Sequence, residues 1–583
     1  MKKRLVVINI LLAVVVGIHT VFPAPASGNE LEDIRDNFTI QNKILDYVRN
    51  AYVDTVSITT LLNGSIQGMM DELDPHSSYM PFKAASEFKE KIRGGFEGIG
   101  ITFAMIDEKI TIIQVIEDGP SEKAGLKARD KIVKINDKDV IGVEQEKVKE
   151  LLRGPANSSV QVHVERPGAD DLQTFTIVRD RVNLNSVSHA YMLNRETGYV
   201  KISKFTTKTH YDVNNALRKL GDQGMKQLVL DLRSNSGGSL EAAVRVVDFF
   251  IKNKGALIVE TRGTRPLDTN KLYTSGDARY AEIPLIVLIN HGSASASEIV
   301  AGALQDHDRA LIAGRTSFGK GLVMNSFTIR SGKKNLGSLV LSVAHYYTPS
   351  GRLIQRPYDE GKEQYIREGF DDYDPNAVDA TKTEAPVFHT DLGREVYGGG
   401  GITPDRNLEP LRQLNTIERA LRSTNVFFEF ADDYLLRHED IPESFEEFLT
   451  DYVIPREDML RFKQFAEDRD IDIDNDTAFR EELEKLVGKY DLSQESVDII
   501  IGALENYNID LNENLFDKST DFIEREIKQE IARIVWSPEA RFRVWYSSDT
   551  ELISALAYFG EAEELLKRRI AMGNEQTEYS PAD

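Results

Sequence analysis

Apolar positions recur at helical spacing from Leu31 to about Met70. Ile34, Phe38, Ile44, Leu45, Val48 and Tyr52 follow one another with few breakers, a pattern that predicts helix over 31–85. Asp74-Pro75-His76-Ser77-Ser78-Tyr79 interrupts it as a turn cluster. From about 86 to 180 the period shortens. Arg93-Gly94-Gly95-Phe96-Glu97-Gly98-Ile99-Gly100-Ile101 opens this stretch, and Thr111 to Ile116 is a β-branched run. Pro120 to Leu126 reads as a short helix and turn, Lys131 to Asn136 and Ser159 to Val164 alternate as strands do, and Val143 to Leu152 is amphipathic at helical spacing. From about 186 to 415 strands and helices alternate, which predicts an α/β core. Gln227 to Leu232 and Ile283 to Ile289 are near-continuous apolar runs, suited to strands buried on both faces. Each leads through a Gly/Ser turn into a helix. From about 416 to 570 the chain is charged and helical. Phe445, Phe448 and Leu449, then Leu460, Phe462 and Phe465, mark its apolar stripes. Residues 571–583 read as a polar tail. No fixed-period repeat is present. The fold class is multi-domain α+β.

Composition narrows the function. The chain has 583 residues, 41% hydrophobic and 28% charged, with a net charge of −23. That length calls for several domains. The negative charge opposes every approach of a phosphate backbone, so nucleic acid is excluded as a partner. The N-terminus carries an address. Met1-Lys2-Lys3-Arg4 is basic, Leu5 to Ile18 is apolar but for Asn9, and Ala24-Pro25-Ala26 supplies small residues at a cleavage spacing. Residues 1–26 therefore predict a secretory signal peptide, with an uncleaved membrane anchor as the alternative. The run is shorter than the ~20 residues a spanning helix needs. The chain has no cysteine, so disulfides, thiolate metal sites and a Cys nucleophile are excluded. Export without cysteine is compatible with a bacterial periplasm.

In 86–180, Gly98-Ile99-Gly100-Ile101 is a Gly-rich loop before a strand. Such a loop can offer backbone N–H groups to a terminal carboxylate, while the strand edge accepts an extended peptide. The order of this loop, the strand, the Ala124-Gly125-Leu126 turn and the Ile132-Val133-Lys134-Ile135-Asn136 strand resembles a PDZ domain. One departure is Arg129, where many relatives have Gly. Without a ligand, the same pattern is simply a small β-domain.

Three turns in 186–415 carry chemistry. Asp231 to Leu240 contains Gly237-Gly238, where backbone N–H groups can approach a developing negative charge. A phosphate loop is a poor reading, because no Gly-Lys-Ser/Thr follows. His291-Gly292-Ser293-Ala294-Ser295-Ala296-Ser297-Glu298 leads a buried strand into a helix. A Ser there can be a nucleophile beside N–H donors, or an ordinary N-cap. Thr316-Ser317-Phe318-Gly319-Lys320-Gly321 places a Lys between glycines. That Lys is a surface turn residue, or a base if a dry site yields the neutral amine.

Taken jointly, these motifs resemble the carboxyl-terminal processing peptidases, also called tail-specific proteases. The resemblance runs from the Asp74 turn to about Asp405 and includes Tyr397-Gly398-Gly399-Gly400-Gly401-Ile402-Thr403-Pro404-Asp405. It implies Ser295 as nucleophile and Lys320 as base. It also implies an oxyanion hole from the N–H groups of Ala296 and of Gly237 or Gly238. No metal or other cofactor is implied. The partners it implies are protein or peptide substrates with free C-termini, held through Gly98, Ile99, Gly100 and Ile101. The helical regions are left to pack on the core, form a homo-oligomer or dock an adaptor. Many relatives have Gln four residues after the Lys, where this chain has Met324. A thioether is a weak acceptor and Asn325 should face the other way on a strand, so the third catalytic role stays unassigned. A Ser–His mechanism through His291 lacks an evident Asp partner, and no His-Glu-x-x-His motif points to a metallopeptidase. The alternative from another class is a binding protein: a PDZ domain joined to a degenerate, non-catalytic core.

Overall fold

The computed structural model describes residues 28–359, 361–365, 385–409, 412–438, 440–471, 493, 499 and 515–578. The expected signal peptide over 1–26 lies outside the described residues. Among the described residues no helix is long and apolar enough to cross a membrane. The chain divides into two units, residues 1–79 and 80–583.

In the first unit the helical pattern resolves into two helices, Gly28–Ala51 and Ile58–Asp71. Ser57 caps the second by accepting the Thr60 N–H. The turn after it is organised by Asp74, whose carboxylate accepts the N–H groups of His76 and Ser77 and the Ser77 hydroxyl.

The second unit opens with the helix Phe82–Arg93, where strand-like structure was expected from 86. Ala84, Ala85, Glu87, Lys89, Glu90 and Lys91 favour helix. Gly94 ends it at φ 70°, a left-handed cap that glycine adopts without strain. A sheet follows in the order Ile101–Ile106, Lys109–Val115, Lys131–Ile135, Ser159–Glu165, Gln173–Val178. Its core is the inward half of each alternating strand, with Ile110, Ile112, Ile132, Ile135, Val160 and Val162 buried. The helices Pro120–Ala124 and Gln145–Leu152 flank it.

The α/β core is a six-stranded sheet in the order Val187–Met192, Thr197–Ile202, Gln227–Asp231, Leu285–Ile289, Leu311–Gly314, Arg406–Asn407. The first pair is antiparallel and the rest are parallel. The continuous apolar runs are buried on both faces, as expected. Leu228, Leu230, Val287, Ile289 and Ile312 pack under the helices Thr209–Asp222, Leu240–Asp248 and Ala296–Asp306. Val229, Ile286, Leu288, Leu311 and Ala313 pack against Phe542, Leu552, Ala555, Phe559 and Ala562. The C-terminal helices thus cover the second face of the sheet. Burial of each such side chain contributes about 1.5–3 kcal/mol. A second sheet runs alongside, built from Leu257–Gly263, Asn270–Tyr273 and the long hairpin Leu322–Ser331/Lys334–Tyr347.

The C-terminal region also has its own core, around Phe427, Phe430, Phe448, Phe462, Ile523 and Ile527. Leu460 does not join the expected stripe. Met459, Phe462 and Ala466 form the inward face of Arg456–Glu467, and Leu460 is exposed. The expected polar tail begins as helix: Phe559–Glu578 runs through its first residues, and 579–583 lie outside the described residues.

Candidate functional site

Three parallel strands end side by side at Asp231, Ile289 and Gly314. Each hands on to one of the turns singled out from the sequence. Ligand sites of parallel α/β sheets lie at this carboxyl edge.

Ser295 is the residue before the helix Ala296–Asp306 and holds φ 57° and ψ −112°. A non-glycine residue in such a conformation is strained, and a sharp strand-to-helix turn of this kind presents its side chain outward. The two neighbouring serines are committed elsewhere. Ser293 is buried, donating its hydroxyl to the Leu232 carbonyl and accepting the Asn290 N–H. Ser297 is buried too and donates to the Asn235 carbonyl. Ser295 alone of the three is partly accessible.

The Gly237-Gly238 turn lies against this helix start. A Cβ on Gly237 would fall 2.8 Å from Ser295 Cβ and 2.9 Å from the Ala296 nitrogen. A Cβ on Gly238 would fall 1.9 Å from the Phe205 carbonyl oxygen. Only glycine permits these approaches, at φ 96° and 143°. Of the two glycines expected to offer a donor, Gly237 donates its N–H to Asn235 Oδ1 at 2.9 Å. Among the described residues the N–H groups of Gly238 and Ala296 meet no acceptor. The buried Asn235 ties the turns together. Its carbonyl accepts the Ala294 N–H and its amide donates to the Ile202 carbonyl.

The Lys320 loop is held at nearly every residue. Phe318 N–H donates to the Ser293 carbonyl, Gly321 N–H to Gln355 Oε1, and Arg356 N–H to the Gly319 carbonyl. Beneath it lies a residue that the sequence reading passed over. Glu298 is fully buried, and its Oε2 accepts both the Ser295 N–H at 2.7 Å and the Lys320 N–H at 2.9 Å. Its Oε1 accepts the Ser317 hydroxyl and the Gly319 N–H. The Ser and Lys backbones therefore hang from one carboxylate oxygen. The Ser295-x-x-Glu298 spacing is that of a capping box and was the available signal. Burial pushes the Glu298 carboxyl above its ordinary value, against the pull of these hydrogen bonds.

Met324 and Ser342 face one another across the hairpin, with the Ser342 hydroxyl 3.1 Å from the Met324 sulfur. Asn325 is exposed, as its place in the strand suggested.

At the root of the Gly turn, Asp231 is buried. It accepts Tyr199 Oη at 2.7 Å, Lys201 Nζ at 3.2 Å and Arg233 Nη2 at 2.7 Å. Burial pushes its carboxyl up, but the Arg233 and Lys201 charges outweigh that and hold it well below the usual carboxylate range.

Gly98 ends the strand Gly95–Gly98, Ile99 and Gly100 form a link, and Ile101 opens the strand Ile101–Ile106. The carbonyls of Ile99 and Gly100 accept Ser121 and Ile116 N–H. The strand Ile101–Ile106 is the end strand of its sheet, paired with Lys109–Val115. Arg129 stands at φ 75°, which accounts for the glycine of relatives. Its side chain reaches the Asp432 carboxylate on the helix Val426–Arg437.

A partly accessible serine on a strained turn, a lysine loop tied to it through Glu298 and a glycine turn packed against it can support acyl transfer. The chain is similar to known proteases. The family model of peptidase family S41 matches residues 196–361, and that of the PDZ domain 98–178. Residues 417–559 match the probable PDZ-protease C-terminal helical domain, and 24–84 the N-terminal domain of the activating protease CtpB. The carboxy-terminal-processing protease of Bartonella bacilliformis is 40% identical over 316 residues, 54% of this chain and 71% of the relative. The carboxy-terminal processing protease CtpA of Bacillus subtilis is 32% identical over 334 residues, 57% of this chain and 69% of the relative. The solved photosystem II D1 C-terminal processing protease aligns at 25% identity with a TM-score of 0.33, over 64% of this chain and 86% of that one.

Proposed function

Since the chain belongs to peptidase family S41, the carboxy-terminal processing proteases, and is a PDZ-containing protease, we propose that it is an exported serine endopeptidase with Ser295 as nucleophile and Lys320 as general base. The observation that carries this reading is the convergence of Ser295 and Lys320 on one Glu298 oxygen, with Gly237 packed against Ser295. The neutral Lys320 amine takes the Ser295 proton as Oγ bonds to the peptide carbonyl carbon. The oxyanion lies within reach of the Gly238 and Ala296 N–H groups. Collapse breaks the C–N bond, and the leaving amine takes the proton from Lys320. Water then loses a proton to Lys320 and attacks the acyl-enzyme, and the C–Oγ bond breaks as Lys320 returns that proton to Ser295. Export rests on the address in residues 1–26. A serine-reactive phosphonate should label Ser295 at one equivalent per chain, read by peptide mass mapping. Failure to label a folded protein that still binds peptides would favour the non-catalytic binding protein.

Recognition of chain ends rests on the Gly98-Ile99-Gly100-Ile101 loop and the open edge beside it. Amidating a substrate's C-terminus should raise KM about tenfold or more, since a hydrogen bond to a charged group contributes about 1.5–3 kcal/mol. Equal cleavage of free and amidated peptides would show that this domain does not read the carboxylate.

Met324→Gln should hold or raise kcat/KM. The two side chains have similar length, and the Ser342 hydroxyl beside the sulfur gives the new amide a partner. The measurement is kcat/KM across pH for both proteins. A loss beyond about tenfold, roughly 1.4 kcal/mol, at unchanged Tm would mean that the thioether itself is adapted to Lys320.

A further inference from the structure

Outside the catalytic turns, a buried charge cluster lies where the C-terminal helices meet the core. Arg233 is buried. Its Nη2 donates to Asp231 Oδ2 at 2.7 Å and to Asp549 Oδ2 at 2.6 Å. Its Nη1 donates to Asp549 Oδ1 at 3.0 Å and to Glu551 Oε2 at 2.8 Å. The other Glu551 oxygen forms an ion pair with Arg315 Nη2 at 3.1 Å, without hydrogen-bond alignment. Asp549 also caps the helix Thr550–Leu556 by accepting the Leu552 N–H. Asp549 and Glu551 are both buried. With Lys201 on Asp231, three cations face three carboxylates, so the desolvated charges are balanced in place. Removing one partner of such a set leaves an uncompensated buried charge.

The position of the two arginines gives the cluster its meaning. Arg233 leads into Gly237-Gly238, and Arg315 leads into Ser317 to Lys320. One Glu551 side chain thus bridges the roots of the turn facing Ser295 and of the loop carrying Lys320. Both segments leave the same sheet edge, and Glu298 ties the Lys loop to Ser295.

We propose that Asp549 and Glu551 form a carboxylate clamp through which the C-terminal helical region sets the spacing of the Gly237-Gly238 turn and the Lys320 loop, making Glu551 a positioning residue for peptide hydrolysis. This rests on the Ser295/Lys320 reading above. The clamp acts on rate more than on substrate affinity, because it touches the roots of the reacting loops and no peptide-binding edge.

The test uses the full chain with Glu551→Gln, Arg315→Met, Arg315→Lys and the double variant Glu551→Gln/Arg315→Met. Ser295→Ala runs in parallel. Glu539→Gln serves as control, since its exposed pair with Lys219 also joins a C-terminal helix to the core but touches neither loop. The expected result is a fall in kcat of about tenfold or more for Glu551→Gln and Arg315→Met, with KM within about twofold. The rate of Ser295 labelling by the phosphonate should fall in parallel. The double variant should be no slower than the worse single one, as coupled positions require. Arg315→Lys should recover part of the rate, and Glu539→Gln should match the parent. If Glu551→Gln does not fold, the arginine variants decide by the same readouts. The clamp is overturned if the folded variants lose only Tm and keep the parent's kcat. If Ser295→Ala itself still cleaves, the site reading fails instead.

Discussion

Ser295→Ala and Lys320→Ala each lower kcat/KM by about 10,000-fold or more, and the double variant loses little beyond the worse single one, because nucleophile and base act as a unit. Lys320→Arg does not restore cleavage, since a guanidinium cannot give up its proton in this pH range. Ser293→Ala and Ser297→Ala behave differently. Their hydroxyls are spent on the carbonyls of Leu232 and Asn235. Each loss removes one hydrogen bond, worth about 0.5–1.5 kcal/mol, and Ser293→Ala also leaves the Asn290 N–H without its acceptor. Both variants should therefore melt earlier yet keep measurable cleavage and phosphonate labelling. Steady-state kinetics and thermal melts of the six purified variants check this. Full activity in Ser295→Ala, or total loss in folded Ser293→Ala, would reassign the nucleophile.

The contrast among the three serines shows what periodicity conveys and what it omits. That a helix starts near Ser295 was legible from the apolar run ending at Ile289 and the small residues after it. Which hydroxyl stays accessible depends on Leu232 and Asn235, carbonyls of the turn after the strand Gln227–Asp231, neighbouring in space and distant in sequence. The strands Gln227–Asp231 and Leu285–Ile289 were legible as doubly buried because their apolar runs do not alternate. What covers their second face was not, since an amphipathic stripe declares a buried side without naming its partner. Phe542, Leu552 and Phe559 supply that cover. Leu460 shows the same limit within one helix, where Met459 rather than its neighbour turns inward.

Charge partners were the least legible. Arg233 meets Asp549 across 316 residues of chain, and no local motif links them. Arg129 was visible as a departure from glycine, but its reason, Asp432 on a C-terminal helix, belongs to tertiary structure. The Gly237 N–H was available on paper until the Asn235 side chain claimed it. Glu298 is the opposite case. Its capping-box spacing was in plain view, but its reach to Gly319 and Lys320 depends on a loop returning to the helix start.

Glu298→Gln should lower kcat about tenfold to a hundredfold, with KM within about twofold, through a mismatch of hydrogen-bond donors. The carboxylate accepts four donors, two on each oxygen. An amide has one oxygen and one NH2. If the oxygen keeps Ser295 and Lys320, the NH2 faces the Ser317 hydroxyl, which can accept, and the Gly319 N–H, which cannot. At least one buried N–H is then unmet, at about 1–3 kcal/mol, directly beside Lys320. The reversed orientation sets the NH2 against the Ser295 and Lys320 N–H groups and is worse. Stability should also change its pH dependence. Burial raises the Glu298 carboxyl above its ordinary value of 4.5, so the folded state binds more protons than the unfolded one between that value and the raised one. Its contribution to stability is therefore full below the ordinary value and is lost as pH rises through the raised one. Glu298→Gln lacks this fall, so its Tm should decline less with pH across that window. Kinetics, phosphonate labelling of Ser295 and melts at several pH values test both parts. Parent-like kcat in Glu298→Gln would show that the shared carboxylate does not hold Ser295 and Lys320 in register.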